Sequence, residues 1–438
     1  MFDGFEALAD SLLAHRTPAY RHTAMVLSVC LTARPAELRS LVVRIWPDDK
    51  EAVAAAVDSL LMTPFVEETA AGWRVNTQLA PVLAARFMNQ DESAFREAHS
   101  ILADREREAL RHLTESDDDA RQIDEWFVQS RLAFYLSGIH ADEAVTQFGW
   151  SFESAPQQQL NSARMWLSVL VLRQARLLAD YARVLAFFEG FRAYVSGRRA
   201  DARGYFKITI SDNQEDLYQA IALHLYAMCR KRSAERIDDL TRSVELSERL
   251  DLAENGIMAR NSLSAAHLAV ANDSSKSGDY AKADEHLEQA LELADLNRQR
   301  ASEMPQKEYL AYTLTQHATV WWNSVAGTDR RMADSAAAQE AFPDVLDELR
   351  QANEIADSAG LSEAALYELN QIAIVLRDVG RDIDALKELE SALLRITPFT
   401  ETASVERLRR TAGSLRDRLP AEFRPRLDRV RRGFRSAE

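Results

Sequence analysis

Nine histidines and two cysteines are the residues of this 438-residue chain most able to hold a metal or move a proton, and their spacing suits neither task. No His-Glu-x-x-His occurs, and neither Cys30 nor Cys229 has a Cys or His at metal-ligand spacing. Asp284-Glu285-His286 sets acids beside an imidazole, but on a helical segment next to packing residues, where a solvated face is expected. No Gly-x-Ser-x-Gly marks a serine nucleophile, and no Gly-x-x-x-x-Gly-Lys-Ser/Thr offers phosphates a backbone cradle. Carboxylates at i, i+3 and i+4 are frequent and read as helix surface charge. The expectation is a protein that is not an enzyme and carries no cofactor or metal.

Binding chemistry has better candidates. Trp321 and Trp322 are adjacent, so on one helix they point about 100° apart. At most one is then core. The other anchors an interface or packs on a neighbouring element. The last 38 residues hold eleven Arg, from Arg407 to Arg435, against six Asp and Glu. This basic block stands in a chain of net charge −15 that otherwise repels a polyphosphate backbone. It offers a contact for nucleic acid or an acidic partner, although a solvated cap pairing with the acidic body fits better.

Helices must position these residues. Only 14 Gly and 11 Pro are present, too few for the turns of an all-β fold, while 47% apolar and 28% charged residues suit a folded, soluble chain. Met165–Leu178 is the most apolar stretch, but Arg173 and Arg176 interrupt it, so no membrane span is expected. No signal peptide is evident, and Cys30 and Cys229 read as buried thiols of a reducing compartment, the cytoplasm. Only seven of 53 basic residues are Lys, an association with high-GC bacterial genomes.

The first ninety residues form a compact pattern. Helices are expected at Tyr20–Leu31, from Pro35 to Trp46, and at Glu51–Met62 with Asp48-Asp49 as its cap. Phe65–Glu68 and Trp73–Val75 flank Ala70-Ala71-Gly72 as a hairpin, and Leu79–Phe87 closes the unit. Three helices and a hairpin make a winged helix. On DNA its third helix would enter the major groove. Yet that helix carries Glu51 and Asp58, the hairpin carries Glu67-Glu68, and the unit holds eight basic against ten acidic residues. Docking onto protein fits this balance better than DNA.

This order of pieces resembles the region after the ATPase core of STAND proteins (the NB-ARC and related signalling ATPases). The resemblance rests on Met25–Val29, Val57–Leu61, Pro64-Phe65-Val66, and Arg74-Val75-Asn76 leading into Leu79–Phe87. It implies that a repeat array follows the winged helix. With the phosphate loop missing, the resemblance implies that any engine is lost, lies on another polypeptide, or belongs to a longer protein of which this is a fragment.

From Glu92 to Ser196 apolar residues recur at helical spacing without a regular repeat, with Asp117–Asp119 opening one helix. Gly197–Asn213 reads as the clearest break, with Tyr205–Ile210 extended or looped. After it the pattern sharpens. Gly278-Asp279-Tyr280 and Gly380-Arg381-Asp382 each open an Ala-marked apolar helix, three periods of about 34 residues apart. With each glycine at the turn of a helix pair, Ala271, Ala283, Leu287 and Ala290 take alternating small and large packing positions in one copy. Ala373, Leu376, Ala385, Leu389 and Ala392 do so in the other.

This pattern resembles the tetratricopeptide repeat, with Ser274 and a missing terminal proline as departures in the first copy and Pro398 as a proper stop in the second. Leu349, Ala352, Ile355 and Ala356 echo it, and Glu235–Leu250 with Leu240 and Val244 is another second helix. Thr328–Phe342 reads as an insertion with Pro343 starting the next helix, and Val405–Phe434 as a capping helix. By position, the resemblance implies that Asn272, Lys276, Asn370 and Arg377 face a peptide groove, where amides bond a peptide backbone and cations meet carboxylates.

The expected fold is all-α: an α-solenoid of helical hairpins after a small winged helix. Its parts are 1–90, irregular hairpins over 91–211, repeats over 212–400, and a cap with a basic tail over 401–438. The expected role is protein recognition, as scaffold or sensor in a bacterial STAND-like signalling or anti-phage system. Its partner is a protein or peptide, with an ATPase or effector enzyme encoded nearby as the natural candidate. The alternative is a transcription regulator that binds DNA through the winged helix and a signal through the repeats.

Overall fold

The computed structural model describes residues 3–114, 121–156, 160–211, 214–326, 335–397, 400 and 402–436. They form 21 α-helices and a single two-stranded sheet. The chain divides into two compact units, Met1–Asp212 and Asn213–Glu438.

The first unit opens with α1 (Asp3–Leu13), α2 (Pro18–Val29), α3 (Pro35–Ile45) and α4 (Val53–Leu61). Pro18 and Pro35 stand at helix starts, where a missing N–H costs nothing. The expected Asp48-Asp49 cap of α4 does not form. Both residues lie in a short 3-10 turn, and the Asp49 carboxylate sits 2.5 Å from His22 Nδ1 instead. α4 buries Val53, Ala56, Val57 and Leu60, one apolar stripe.

β1 (Val66–Thr69) and β2 (Gly72–Val75) then pair antiparallel, Val66 opposite Val75 and Thr69 opposite Gly72. Ala33, between α2 and α3, exchanges two backbone hydrogen bonds with Trp73, at 2.8 and 2.9 Å. Gly72 has φ +135°, and a Cβ there would meet the Ala33 carbonyl oxygen at 2.9 Å, so only glycine allows this approach. α5 (Ala80–Gln90) follows and packs on α2.

The rest of this unit is α6 (Glu92–Thr114), α7 (Arg121–Leu136), α8 (Ala141–Glu153), α9 (Leu160–Arg173), α10 (Ala182–Val195) and α11 (Arg199–Ile210). Asp117–Asp119 lies outside the described residues. The loop expected over Gly197–Asn213 is instead largely α11. Gly197 takes φ +75° and reverses the chain within one residue, and α11 returns along α10, burying Ala202, Phe206 and Thr209 at i, i+4 and i+7. A Cβ on Gly190 would lie 2.8 Å from the Phe206 ring, so close packing overrides the strand preference of Ile208-Thr209-Ile210.

The described residues of the second unit form five helical hairpins in sequence. They are α12 (Leu217–Met228) with α13 (Ile237–Arg249), α14 (Ala253–Lys276) with α15 (Tyr280–Ser302), α16 (Lys307–Ala326) with α17 (Ala336–Ser358), α18 (Ser362–Asp378) with α19 (Asp382–Arg395), and α20 (Thr402–Ser414) with α21 (Arg424–Ser436). The small and large repeat positions Ala271, Ala283, Leu287, Ala290, Ala373, Leu376, Ala385, Leu389 and Ala392 are all buried. α17 begins well before Pro343: Ser335 caps it by accepting from Ala338 N at 3.2 Å, and Pro343 lies inside the helix. Residues 328–334 of the expected insertion lie outside the described residues, as does Pro398. The expected single capping helix is a hairpin, broken between Ser414 and Arg424 around Pro420.

One turn geometry recurs. At Gly197, Gly278, Gly360 and Gly380 a left-handed residue donates to the carbonyl three back, and the next residue to the carbonyl five before it. Asp251 makes the same turn at φ +55° without being glycine.

Neighbouring hairpins are joined differently on their two sides. First helices touch first helices, α12–α14–α16–α18–α20. Hydrogen bonds cross each step: His224 and Ser262 at 3.0 Å, Gln316 to Ser264 at 3.2 Å, Thr315 to Glu368 at 3.2 Å, and Thr411 to Asn370 at 2.8 Å. Second helices are linked by Arg–carboxylate pairs. These are Arg300–Glu248 at 3.1 Å, Arg298–Glu348 at 3.2 Å, Arg395–Asp357 at 2.7 Å, and Arg426–Glu390.

Candidate functional site

Three consecutive first helices present one stripe each to a common groove. α14 contributes Ser262, Ala265, Ala266 and Ala269, at i, i+3, i+4 and i+7. α16 contributes Tyr312, Thr315 and Gln316, and α18 contributes Glu363, Ala364, Tyr367 and Glu368. Met228, Met258, Asn261 and Arg236 complete a cavity of about 390 Å³. Small residues on α14 leave the space, and the tyrosines and methionines make it mostly apolar. That volume lies in the range of pockets that take a small molecule or a few side chains.

The polar groups here are held from behind. Asn297 on α15 donates to the Ile257 carbonyl at 3.1 Å and to Asn261 Oδ1 at 2.7 Å, while buried Arg260 donates to Asn297 Oδ1 at 2.9 Å. Arg236 spends its guanidinium on the Arg230 carbonyl, at 2.8 and 3.1 Å. Glu363 accepts from Ser404 at 2.5 Å, and Arg407 lies 5.5 Å from the Tyr367 ring centre.

Glu368 differs. It lines the groove yet is only 1% exposed. Thr315 donates to its Oε1, and its Oε2 accepts no hydrogen bond. Burial pushes its carboxyl up to about 7, with Thr315 and Asn353 opposing. Burial also raises the Tyr312 hydroxyl, and the Glu368 charge adds to that effect.

The residues expected from sequence lie elsewhere. Asn272 is half-buried, and exposed Lys276 is 3.8 Å from Asp273 on its own helix. Asn370 is buried and bonded by Thr411, because α20 packs over that end of α18. Arg377 is bound to Asp378 and to Ser414 at the end of α20. None of the four lines the groove. Trp322 is the core member of its pair, buried and donating to Asp378 Oδ2 at 3.1 Å. Trp321 is half-buried against the His317 ring. In the basic block, Arg418 pairs with Asp382 at 2.9 Å and Arg426 with Glu390.

Several of the remaining chemically able groups are engaged by neighbours. His317 is buried between Glu348 at 2.6 Å and Asp295 at 3.0 Å. His286 of the Asp-Glu-His run lies 2.9 Å from His267, whose imidazole falls to about 4 through burial and the neighbouring ring. Cys30 and Cys229 are buried outside any disulfide, and burial pushes the Cys30 thiol up to about 12. Among the described residues no group of His, Cys, Asp and Glu is arranged to hold a metal, and no helix is long and apolar enough to cross a membrane.

The second unit is an array of helical repeats. No known family and no curated protein matches the chain. Among solved structures, a signal transduction ATPase with numerous domains (STAND) from Pyrococcus horikoshii, bearing a tetratricopeptide repeat sensor, is 11% identical over 98% of this chain and 67% of its own, with a TM-score of 0.38. A circular tandem repeat protein is 14% identical over 92% of this chain and 89% of its own, with a TM-score of 0.27.

The stripe Ser262–Ala269 was visible as spacing but not as a site, because alanines carry no chemistry until two further helices stand beside them. Glu368 reads in sequence as one more helical carboxylate.

Proposed function

We propose that this chain is a non-enzymatic recognition protein whose repeat array docks a segment of a partner polypeptide in the groove of α14, α16 and α18. The observation that carries this reading is the groove itself: three adjacent first helices leave a mostly apolar, tyrosine-lined cavity in which Asn297 of a second helix fixes Asn261. The small and large positions around Gly278 and Gly380 support a tetratricopeptide-like architecture, and with it an exposed binding face.

In this reading the first ninety residues are a winged helix that makes a second protein contact. The three helices, the hairpin and the Ala33–Trp73 bridge support the assignment. Its charges disfavour DNA: Asp58 faces solvent with Arg39 at 2.7 Å, and Arg74 is tied to Glu67 at 3.1 Å. The setting we propose is cytoplasmic, in a bacterial STAND-like signalling or anti-phage system, with an ATPase or effector enzyme on another polypeptide as partner. The chain acts there as sensor or scaffold, without cofactor.

A photo-reactive benzoylphenylalanine at Ala265 tests this in extract of the native host. The expected result is one dominant cross-linked protein that disappears when Ala269→Trp fills the groove. Equal cross-linking by the filled variant, or saturable ATP binding in calorimetry, overturns the proposal.

A further inference from the structure

The hairpin of α20 and α21 carries the opposite charge to the array it closes. Residues 213–400 hold 19 Lys and Arg against 33 Asp and Glu, whereas residues 401–438 hold eleven Arg against six Asp and Glu. α21 concentrates this charge. Leu427, Val430 and Phe434, at i, i+3 and i+7, form its buried stripe, and Arg424, Arg429 and Arg432 are exposed on the rest of its circumference. Pairing with the acidic hairpins uses little of it: Arg418 takes Asp382, and Arg426 takes Glu390. The guanidinium groups of Arg424, Arg429 and Arg431 form no ion pair among the described residues. An apolar group stands beside them. Glu390 of α19 pairs with Arg426, and a Cβ on Gly433 would lie 2.7 Å from the Leu393 side chain, so this side of α19 borders α21. Leu394 lies one turn beyond Glu390 and is 88% exposed.

We infer that the outward face of α21, with Leu394 at its edge, docks an acidic segment of a partner protein. Carboxylates of that segment meet Arg424, Arg429 and Arg432, and an apolar side chain covers Leu394. This surface is separate from the groove, whose lining includes no residue of α19 or α21. The basic residues of α21 are all arginines, whose planar fork takes both oxygens of a carboxylate. Charge complementarity sets the sign of the occupant, and three further features favour a polypeptide over a nucleic acid. A polyphosphate is repelled by the acidic hairpins next to the cap and meets Asp428 among the arginines, whereas a short acidic segment carries few charges. Single strands are held by stacking their bases on exposed rings. Phe434 is buried and Phe423 lies under Arg426 at 5.8 Å, so the described residues of the cap offer no such platform. An exposed leucine gains from an apolar side chain and not from a phosphate.

Exposed ion pairs are individually weak, so the contact depends on several acting together. Removing three arginines at once corresponds to about a tenfold loss of affinity. Salt acts on all of them: between about 50 and about 200 mM the screening length falls roughly twofold, and binding weakens with it.

The test is fluorescence anisotropy with the full chain. The probe is the labelled peptide Glu-Glu-Leu-Glu-Glu-Leu-Glu-Glu, with counterparts carrying Gln for Glu or Ser for Leu, and with a short RNA strand and a DNA duplex of equal charge. The expected result is saturable binding of the acidic leucine peptide, about tenfold weaker when Arg424→Gln, Arg429→Gln and Arg432→Gln are combined. Leu394→Ser weakens it several-fold, and the exposed control Arg232→Gln leaves it unchanged. Absence of binding, or equal binding of the Gln or Ser peptide, overturns the inference. So does RNA or duplex binding as tightly as the peptide and lost in the combined variant, which would make this a phosphate surface. Self-association in sedimentation velocity that the combined variant abolishes overturns it in favour of a second copy. A salt-independent binding curve of the unmodified chain also overturns it, and that measurement needs no variant to fold. Ala269→Trp leaves the expected binding intact; loss of binding there would put the peptide in the groove and overturn the inference while keeping the groove reading.

Discussion

Replacing Glu368 by glutamine should stabilise the protein at neutral and alkaline pH, and not at acid pH. The ordinary value of this carboxyl is 4.5, and burial raises it to about 7 in the folded chain. Between those values the folded state holds a proton that the unfolded state has released, so stability falls as pH rises across this window. Below about pH 4.5 both states are protonated and the penalty is absent. Above about pH 7 it is complete. At about 1.4 kcal/mol per tenfold, the full penalty is ~3 kcal/mol, an upper bound because local relaxation relieves part of it. The glutamine amide keeps an oxygen for Thr315 and cannot ionise, so Glu368→Gln removes the penalty. For a unit of this size the gain corresponds to about 6–12 °C in Tm at about pH 8, with none at about pH 4. Melting followed by far-UV circular dichroism across this range checks it. Parallel curves for the two proteins, or a less stable variant at alkaline pH, would refute the burial argument.

Other substitutions probe the packing. Asp251→Gly should raise stability by about 1 kcal/mol, because a left-handed residue with a Cβ is strained, and Gly278→Ala should lower it by a similar amount; urea midpoints decide both. Gly138→Ala should cost more, on the order of 2–3 kcal/mol, since the new Cβ would lie 2.4 Å from the buried His99 ring; truncating that ring as well, in Gly138→Ala with His99→Ala, should cost less than the sum of the single changes. His99 and His267 are both held near about 4 by burial. Their contribution is present above about 6.5 and is lost as pH falls through about 4. The acid limb of the stability curve should therefore flatten in His267→Phe, read by urea unfolding at about pH 4 and about pH 7.

The helical class and the hairpin turns at Gly278 and Gly380 were legible because glycine at a helix end and alanine at crossing positions are strong local signals. The equivalent turns at Gly197, Gly360 and Asp251 were not. Unequal helix lengths hid the period, and an aspartate in the left-handed region carries no glycine to mark it. Tyr205–Ile210 suggests an extended or looped segment because β-branched residues favour strands, while the contact of Phe206 with Gly190 holds it in α11. Asn370 and Arg377 were placed on a groove by analogy with regular repeats. Here α20 returns over α18 and takes both. The groove arises only where α14, α16 and α18 meet, and no single segment encodes it.

The unequal bonding of the two sides of the array has a mechanical consequence. Arg–carboxylate pairs tie second helices to one another, whereas hydrogen bonds tie the first helices. Dissolved salt screens the former and leaves the latter nearly untouched. The stack therefore behaves as a two-layer strip with layers of different ionic sensitivity, like a bimetal strip whose bend is set by concentration rather than heat. Added salt is therefore expected to loosen the second-helix side first, while the groove lies on the side that holds.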